Sequence, residues 1–222
     1  MFRNLNGTMQ EWPKNAFKMI AWSFWIILLM IPVVFIIAAL SFASKNTMAM
    51  TIFSLISSLV QFTLIAVGLH QIAPFNKNYR KACRLFYILF VLRVIYWIVT
   101  MFIETNIATT IANQVLIIVL LIVFYFFAKG LEEQLSISLG NELNPLNSFY
   151  KYAIFSLITP IIDLIESAVG GTASGSLGIL AIFLLIITIF ALVYVFKFYI
   201  MIGKAGKALN SMADVNLSQQ QE

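Results

Sequence analysis

The sequence predicts an all-α, polytopic integral membrane protein of six transmembrane helices, and three observations carry that expectation. The first is composition: of 222 residues, 61% are hydrophobic and 10% charged, against about 45–50% apolar and about 25% charged in soluble domains. With a mean hydropathy of +0.95, a chain of this length has no way to hide its apolar surface from water, so lipid is the expected solvent. The second is the presence of six apolar runs, at 19–40, 51–69, 85–103, 111–128, 150–169 and 177–202. About 20 residues of helix cross a 30 Å hydrocarbon layer, and a helix satisfies its own backbone in lipid. A membrane β-barrel would instead show segments of about ten residues with alternating polarity, which are absent here. The third is the distribution of charge. Twelve of the fourteen Lys and Arg residues fall in the N-terminal segment, the second and fourth loops and the C-terminal end or in the run edges beside them (Lys151 and Lys197); the odd loops hold Lys45 alone, and Arg93 lies in the middle of a run.

Each run can be justified in turn. The first follows Arg3, Lys14 and Lys18 and resembles a signal sequence, with Ser41-Phe42-Ala43 as a cleavage-like tripeptide. Its length exceeds the roughly 7–15 residues of a signal core, so it is expected to remain as a span, kinked at Pro32. The second carries a polar stripe of Ser54, Ser58, Gln61 and Gly68, and the third carries Arg93, Trp97, Thr100 and Glu104. Residues three and four apart share a helix face. The fourth run leads into the longest loop, 129–149, in which 130–139 is expected to form an interfacial helix extending the span. Asn144-Pro145 then marks a break, because the residue before proline avoids helical geometry. The fifth run carries Tyr152, Ser156, Thr159, Asp163 and Glu166 on one stripe, with Pro160 loosening the helix between them. A small loop rich in glycine and serine, 170–176, precedes the sixth run. The membrane domain is thus expected over 1–209, with 210–222 as a disordered cytoplasmic tail.

Basic residues concentrate on the cytoplasmic side of membrane proteins, so the even loops and both termini are expected in the cytoplasm, with the plasma membrane as the expected location. A weak internal repetition supports three tandem helical hairpins. Lys14-Asn15-Ala16, Arg80-Lys81-Ala82 and Lys151-Tyr152-Ala153 each open a pair of runs, and Gly68, Gly130 and Gly203 lie near the end of each pair.

The residues that bear on function are the polar ones inside spans, because a charge there costs at least about 2.5–3.5 kcal/mol. Arg93, Asp163, Glu166, Gln61 and Thr159 form the candidate cluster. At 1.5 Å per residue Arg93 lies roughly 12 Å and Asp163 roughly 20 Å from the cytoplasmic ends of their runs, within reach of a long arginine stem. The cluster reads either as a structural pair that fixes helix packing or as an anion and proton site. Other signals are weaker. His70 is the only histidine and has no companion metal ligands, and Cys83 is the only cysteine, so no internal disulfide can form. Glu132-Glu133 is similar to the paired glutamates of intramembrane proteases of the prenyl-processing type, but the arginine those require four residues later is Ile137 here, and the resemblance fails. No catalytic residue, metal site or cofactor is therefore expected, and no basic run with stacking aromatics points to nucleic acid. The expected function is that of a non-enzymatic scaffold, partner subunit or membrane-organising factor, with a small transporter or channel as the alternative. The expected partners are the bilayer, anionic lipid headgroups at the cytoplasmic face, and a protein partner or second copy.

Overall fold

The computed structural model describes residues 2–3, 5, 9–26, 48–102, 107–136, 143–169 and 177–218. Within its strands and helices, the side chains of 2, 3, 9, 10, 48–54, 101, 159, 160, 162–169, 177–188, 191 and 216–218 lie outside those described. Among these described residues the architecture is helical apart from a ribbon of two two-residue strands, β1 (Phe2–Arg3) and β2 (Met9–Gln10), antiparallel with Phe2 opposite Gln10. Six helices follow: α1 (Ala16–Ile26), α2 (Met48–Ile72), α3 (Lys77–Phe102), α4 (Ile107–Ser136), α5 (Pro145–Val169) and α6 (Leu177–Ser218). Each overlaps one apolar run. Three of them, α2, α3 and α4, are long and apolar enough among the described residues to cross a membrane. Their outward side chains include Ile56, Val60, Ile88, Val91, Ile95, Ile111, Val115 and Ile118, a continuous apolar exposure that water would not support.

Three helices extend past the runs that mark them, and in each case periodic burial replaces continuous apolarity. The start of α3 buries Tyr79, Ala82, Cys83 and Phe86 while Lys77, Lys81 and Arg84 face outward. This is the amphipathic pattern of a helix at a water boundary. Likewise α4 continues through Gly130, Leu131 and Leu135, all buried, to Ser136, so the extension expected after the fourth run is an unbroken part of the same helix. The segment after Leu209 corrects the reading of a disordered tail. It is helical to Ser218, because Ala205, Leu209 and Ala213 recur at four-residue spacing and are all buried.

The helix starts are capped as the sequence chemistry requires. The Asn76 side chain accepts a hydrogen bond from the Asn78 N–H at 2.7 Å, and Asn144 accepts from the Asn147 N–H at 2.9 Å. Both are N-cap contacts. Pro145 occupies the first position of α5, where a missing N–H costs nothing. Glu132 of α4 reaches the same terminus, accepting from the Leu146 N–H at 3.1 Å, where a negative charge also meets the positive end of the helix dipole.

The chain divides into two compact units, Met1–Cys83 with Ile202–Glu222, and Arg84–Met201. In the first, α1 lies between α2 and the end of α6, and a glycine marks each crossing. A Cβ on Gly68 would come within 2.6 Å of Ile20 and 2.8 Å of the Ala16 carbonyl; one on Gly206 would come within 2.5 Å of the Phe17 Cβ. Trp12 then joins α1, α6 and the turn that follows α2. Its ring packs edge-on to Phe75 and stacks on Phe17, and its indole N–H donates to Asn210 at 2.9 Å. Asn210 in turn donates to the Lys14 carbonyl, and Lys14 pairs with Asp214. The two ends of the described chain therefore lie together.

The second unit is built on aromatic rings from α4, α5 and α6. Phe124 meets Phe127, Tyr152, Phe198 and Tyr199 edge-on, and Tyr152 stacks on Phe198 with centroids 5.0 Å apart. Further along, Phe155 stacks on Tyr194 at 4.5 Å. Such pairs contribute about 0.5–1.5 kcal/mol each beyond the area they bury.

The expected repeat meets a mixed result. Lys14 precedes α1, Arg80 is the fourth residue of α3, and Lys151 is the seventh of α5. The three basic tripeptides thus do not share a position relative to their helix starts. Ala16 and Ala82 are fully buried, whereas Ala153 is only half-buried.

Candidate functional site

Arg93 is the charged residue within the apolar run of α3, a helix long and apolar enough to cross a membrane, and its surroundings define the site. It sits half-buried, at the point where α3 faces α4. One guanidinium nitrogen (Nη1) donates to the side-chain oxygen of Asn113 on α4 at 2.5 Å. The guanidinium carbon lies 5.3 Å from the centre of the Tyr96 ring and 5.7 Å from that of Trp97. These rings are three and four residues further along the same helix, so the arginine stem lies along its own stripe and presents its charge to two π faces. Its Nε is buried and makes no hydrogen bond among the described residues.

Next to this contact, α3 and α4 leave an apolar groove of about 550 Å³, lined by Leu92, Ile95, Tyr96 and Val99 on one side and Ala108, Ala112 and Val115 on the other. Thr109, also in its wall, is buried. The groove holds no charged side chain of its own. It is suited to hydrocarbon, and Tyr96 is the residue it shares with the arginine.

Of the residues expected in the cluster, the structure describes two side chains. Arg93 is in the second unit, engaged as above. Gln61 is in the first unit, half-buried on α2 beside the buried Phe62. Thr159, Asp163 and Glu166 fall on α5, but their side chains lie outside the described residues, and with them the expected Arg93–Asp163 pair. The partner that sequence reasoning missed is Asn113. The available signal was an uncharged amide pair, Asn113-Gln114, inside an apolar run, with Thr109 four residues before Asn113 on the same face. Among the described residues no three of His, Cys, Asp and Glu come together to hold a metal ion.

The arrangement provides a hydrogen-bonded, aromatic-covered cation in a low-dielectric setting, with no nucleophile or general base beside it among the described contacts. Comparison with protein-family models, with curated proteins and with solved structures finds no match to this chain.

Proposed function

We propose that the protein is a non-enzymatic multi-pass membrane protein, a scaffold or partner subunit that organises the bilayer around it. It would cross the plasma membrane six times as three tandem hairpins, with both termini in the cytoplasm. The observation that carries the functional part is the engagement of Arg93. A residue kept for transient binding of a solute would be expected to stand clear of its neighbours, whereas one nitrogen of this guanidinium is bonded to Asn113 and its carbon lies over the Tyr96 and Trp97 rings. The hairpin organisation is supported by contact between successive helices: α1 with α2 at Gly68, α3 with α4 at Asn113, and α5 with α6 at Phe155. The bilayer role is supported by six exposed lysines in the first unit, Lys14, Lys18, Lys77, Lys81, Lys204 and Lys207, which suit anionic headgroups.

The second reading, a small transporter or channel, is favoured by the Arg93 Nε, which has no hydrogen bond among the described residues, and by the groove beside it. Flux separates the two. Purified protein in proteoliposomes and planar bilayers is expected to pass K⁺, Na⁺, H⁺ and Cl⁻ no faster than protein-free membranes. Saturable flux above that level, abolished by Arg93→Gln, would replace the scaffold with the transporter.

A further inference from the structure

The cytoplasmic ends of α1 and α6 form a second groove, in the first unit, whose chemistry differs from the one beside Arg93. The two helices run antiparallel there. Lys14 meets Asn210, and Phe17, three residues on, meets Gly206. That register brings Lys18 within one to two residues of the level of Lys207, and Trp22 within one to two of Gly203, and all four line one groove. The groove between them measures about 560 Å³, within the roughly 300–1,000 Å³ of ordinary ligand sites. Its chemistry is graded along its length. Lys18 and Lys207 stand at the outer end, both exposed and neither in an ion pair among the described residues, whereas Lys14 is already paired with Asp214. At the inner end Trp22 and Trp25 are 46% and 43% exposed, and a Cβ on Gly203 would meet nothing within 4 Å.

We propose that this groove binds one anionic phospholipid of the bilayer, with its phosphate between Lys18 and Lys207 and an acyl chain along Trp22, Trp25 and Gly203. Lys18 to Trp25 is seven residues, or roughly 10 Å of helix, which spans from headgroup to upper acyl chain. Tryptophan favours that depth because its ring is apolar with one polar edge. A free phosphate would use only the lysines and leave the indole wall without purpose. The inference rests on the preceding reading only for the membrane placement of α1 and α6, and it holds for a scaffold and a transporter alike. Flux results therefore leave it untouched.

Brominated lipids test it directly, because bromine quenches tryptophan fluorescence on contact. The full chain carrying Trp97→Phe leaves Trp22 and Trp25 as the reporters, since Trp12 is only 6% exposed. In phosphatidylcholine vesicles, brominated phosphatidylglycerol is expected to quench more strongly than brominated phosphatidylcholine at equal mole fraction, with a lipid preference of about fivefold for each lysine. Lys18→Gln with Lys207→Gln should remove the excess. Gly203→Leu, which fills open space rather than a packed crossing, should also remove it with no loss of thermal stability. Equal quenching by the two lipids, or an excess that survives the lysine changes, overturns the proposal. So does loss of the excess on adding inorganic phosphate at constant ionic strength, which would make this a site for a soluble anion. Absence of quenching by either lipid, with disulfide cross-linking between copies carrying Trp22→Cys, would assign the groove to a second copy instead.

Discussion

A guanidinium inside α3 must find acceptors, since burying a donor without a partner costs about 1–3 kcal/mol and more when it is charged. The Asn113 oxygen supplies one, and the two ring faces add about 0.5–2 kcal/mol. Asn113→Leu should therefore destabilise the protein by about 1–3 kcal/mol. Adding Arg93→Met should recover much of that loss, because the charge leaves with its acceptor. Thermal unfolding of the four proteins in nanodiscs measures the coupling, expected at about 0.5–3 kcal/mol. Strictly additive losses would mean that the contact has no energetic content. The same cycle with Arg93→Leu and Asp163→Leu decides whether the α5 carboxylate shares the guanidinium. Arg93 was legible in the sequence because a charge within an apolar run is costly and therefore conspicuous. Asn113 was not, because an uncharged amide six residues into α4 carries little penalty, and only the meeting of α3 and α4 turns it into a partner.

At the scale of the helices, three glycines that look alike in sequence have different causes. Gly68 and Gly206 sit at crossings where a β-carbon would strike α1, the close approach that small residues permit between membrane helices. Gly203, one turn before Gly206, faces open space. Gly68→Val and Gly206→Val should each cost about 1–3 kcal/mol as overpacked positions. Gly203→Ala should instead stabilise by about 0.5–1 kcal/mol, because alanine loses less backbone freedom than glycine on entering a helix. Melting temperatures of the three variants check the ranking, and an unchanged Gly206→Val would refute the tight crossing with Phe17. Helix positions were readable from the apolar runs, but helix ends were not. In lipid every side chain on an outward face must be apolar, so a span reads as an unbroken run. Past the boundary only the inward face must be, and α3, α4 and α6 continue there on Tyr79, Leu131 and Leu209 without announcing themselves as apolar stretches.

For the molecule as a whole, the proposal that most needs a direct measurement is its orientation, which rests on the twelve basic residues gathered on one side. In a Cys83→Ser background, single cysteines at Asn46, Asn106 and Ser174 should react with an impermeant thiol reagent added outside intact cells. Cysteines at Asn141 and Ser211 should react only after lysis. The opposite pattern would invert the topology. Ser211 follows Asn210, which bonds Trp12, and lies one turn from Asp214, which pairs with Lys14, so its labelling also reports on the side at which the two ends meet. That meeting was not legible in the sequence: the basic pattern assigns both ends to one side of the membrane, but not to each other.

The same contacts have a consequence for how the protein is made. Trp12 and Asn210 are 198 residues apart in the chain, and Lys14 and Asp214 are 200 apart. At a synthesis rate of about 5–20 residues per second, α1 must wait roughly 10–40 s for its α6 partner to emerge. During that interval the Phe17 face, which Gly206 later covers, stands open to lipid or to insertion chaperones. Closure of the first unit thus waits until synthesis has passed Asn210, and a chain released before that residue would leave the ribosome with α1 still unpartnered on that side.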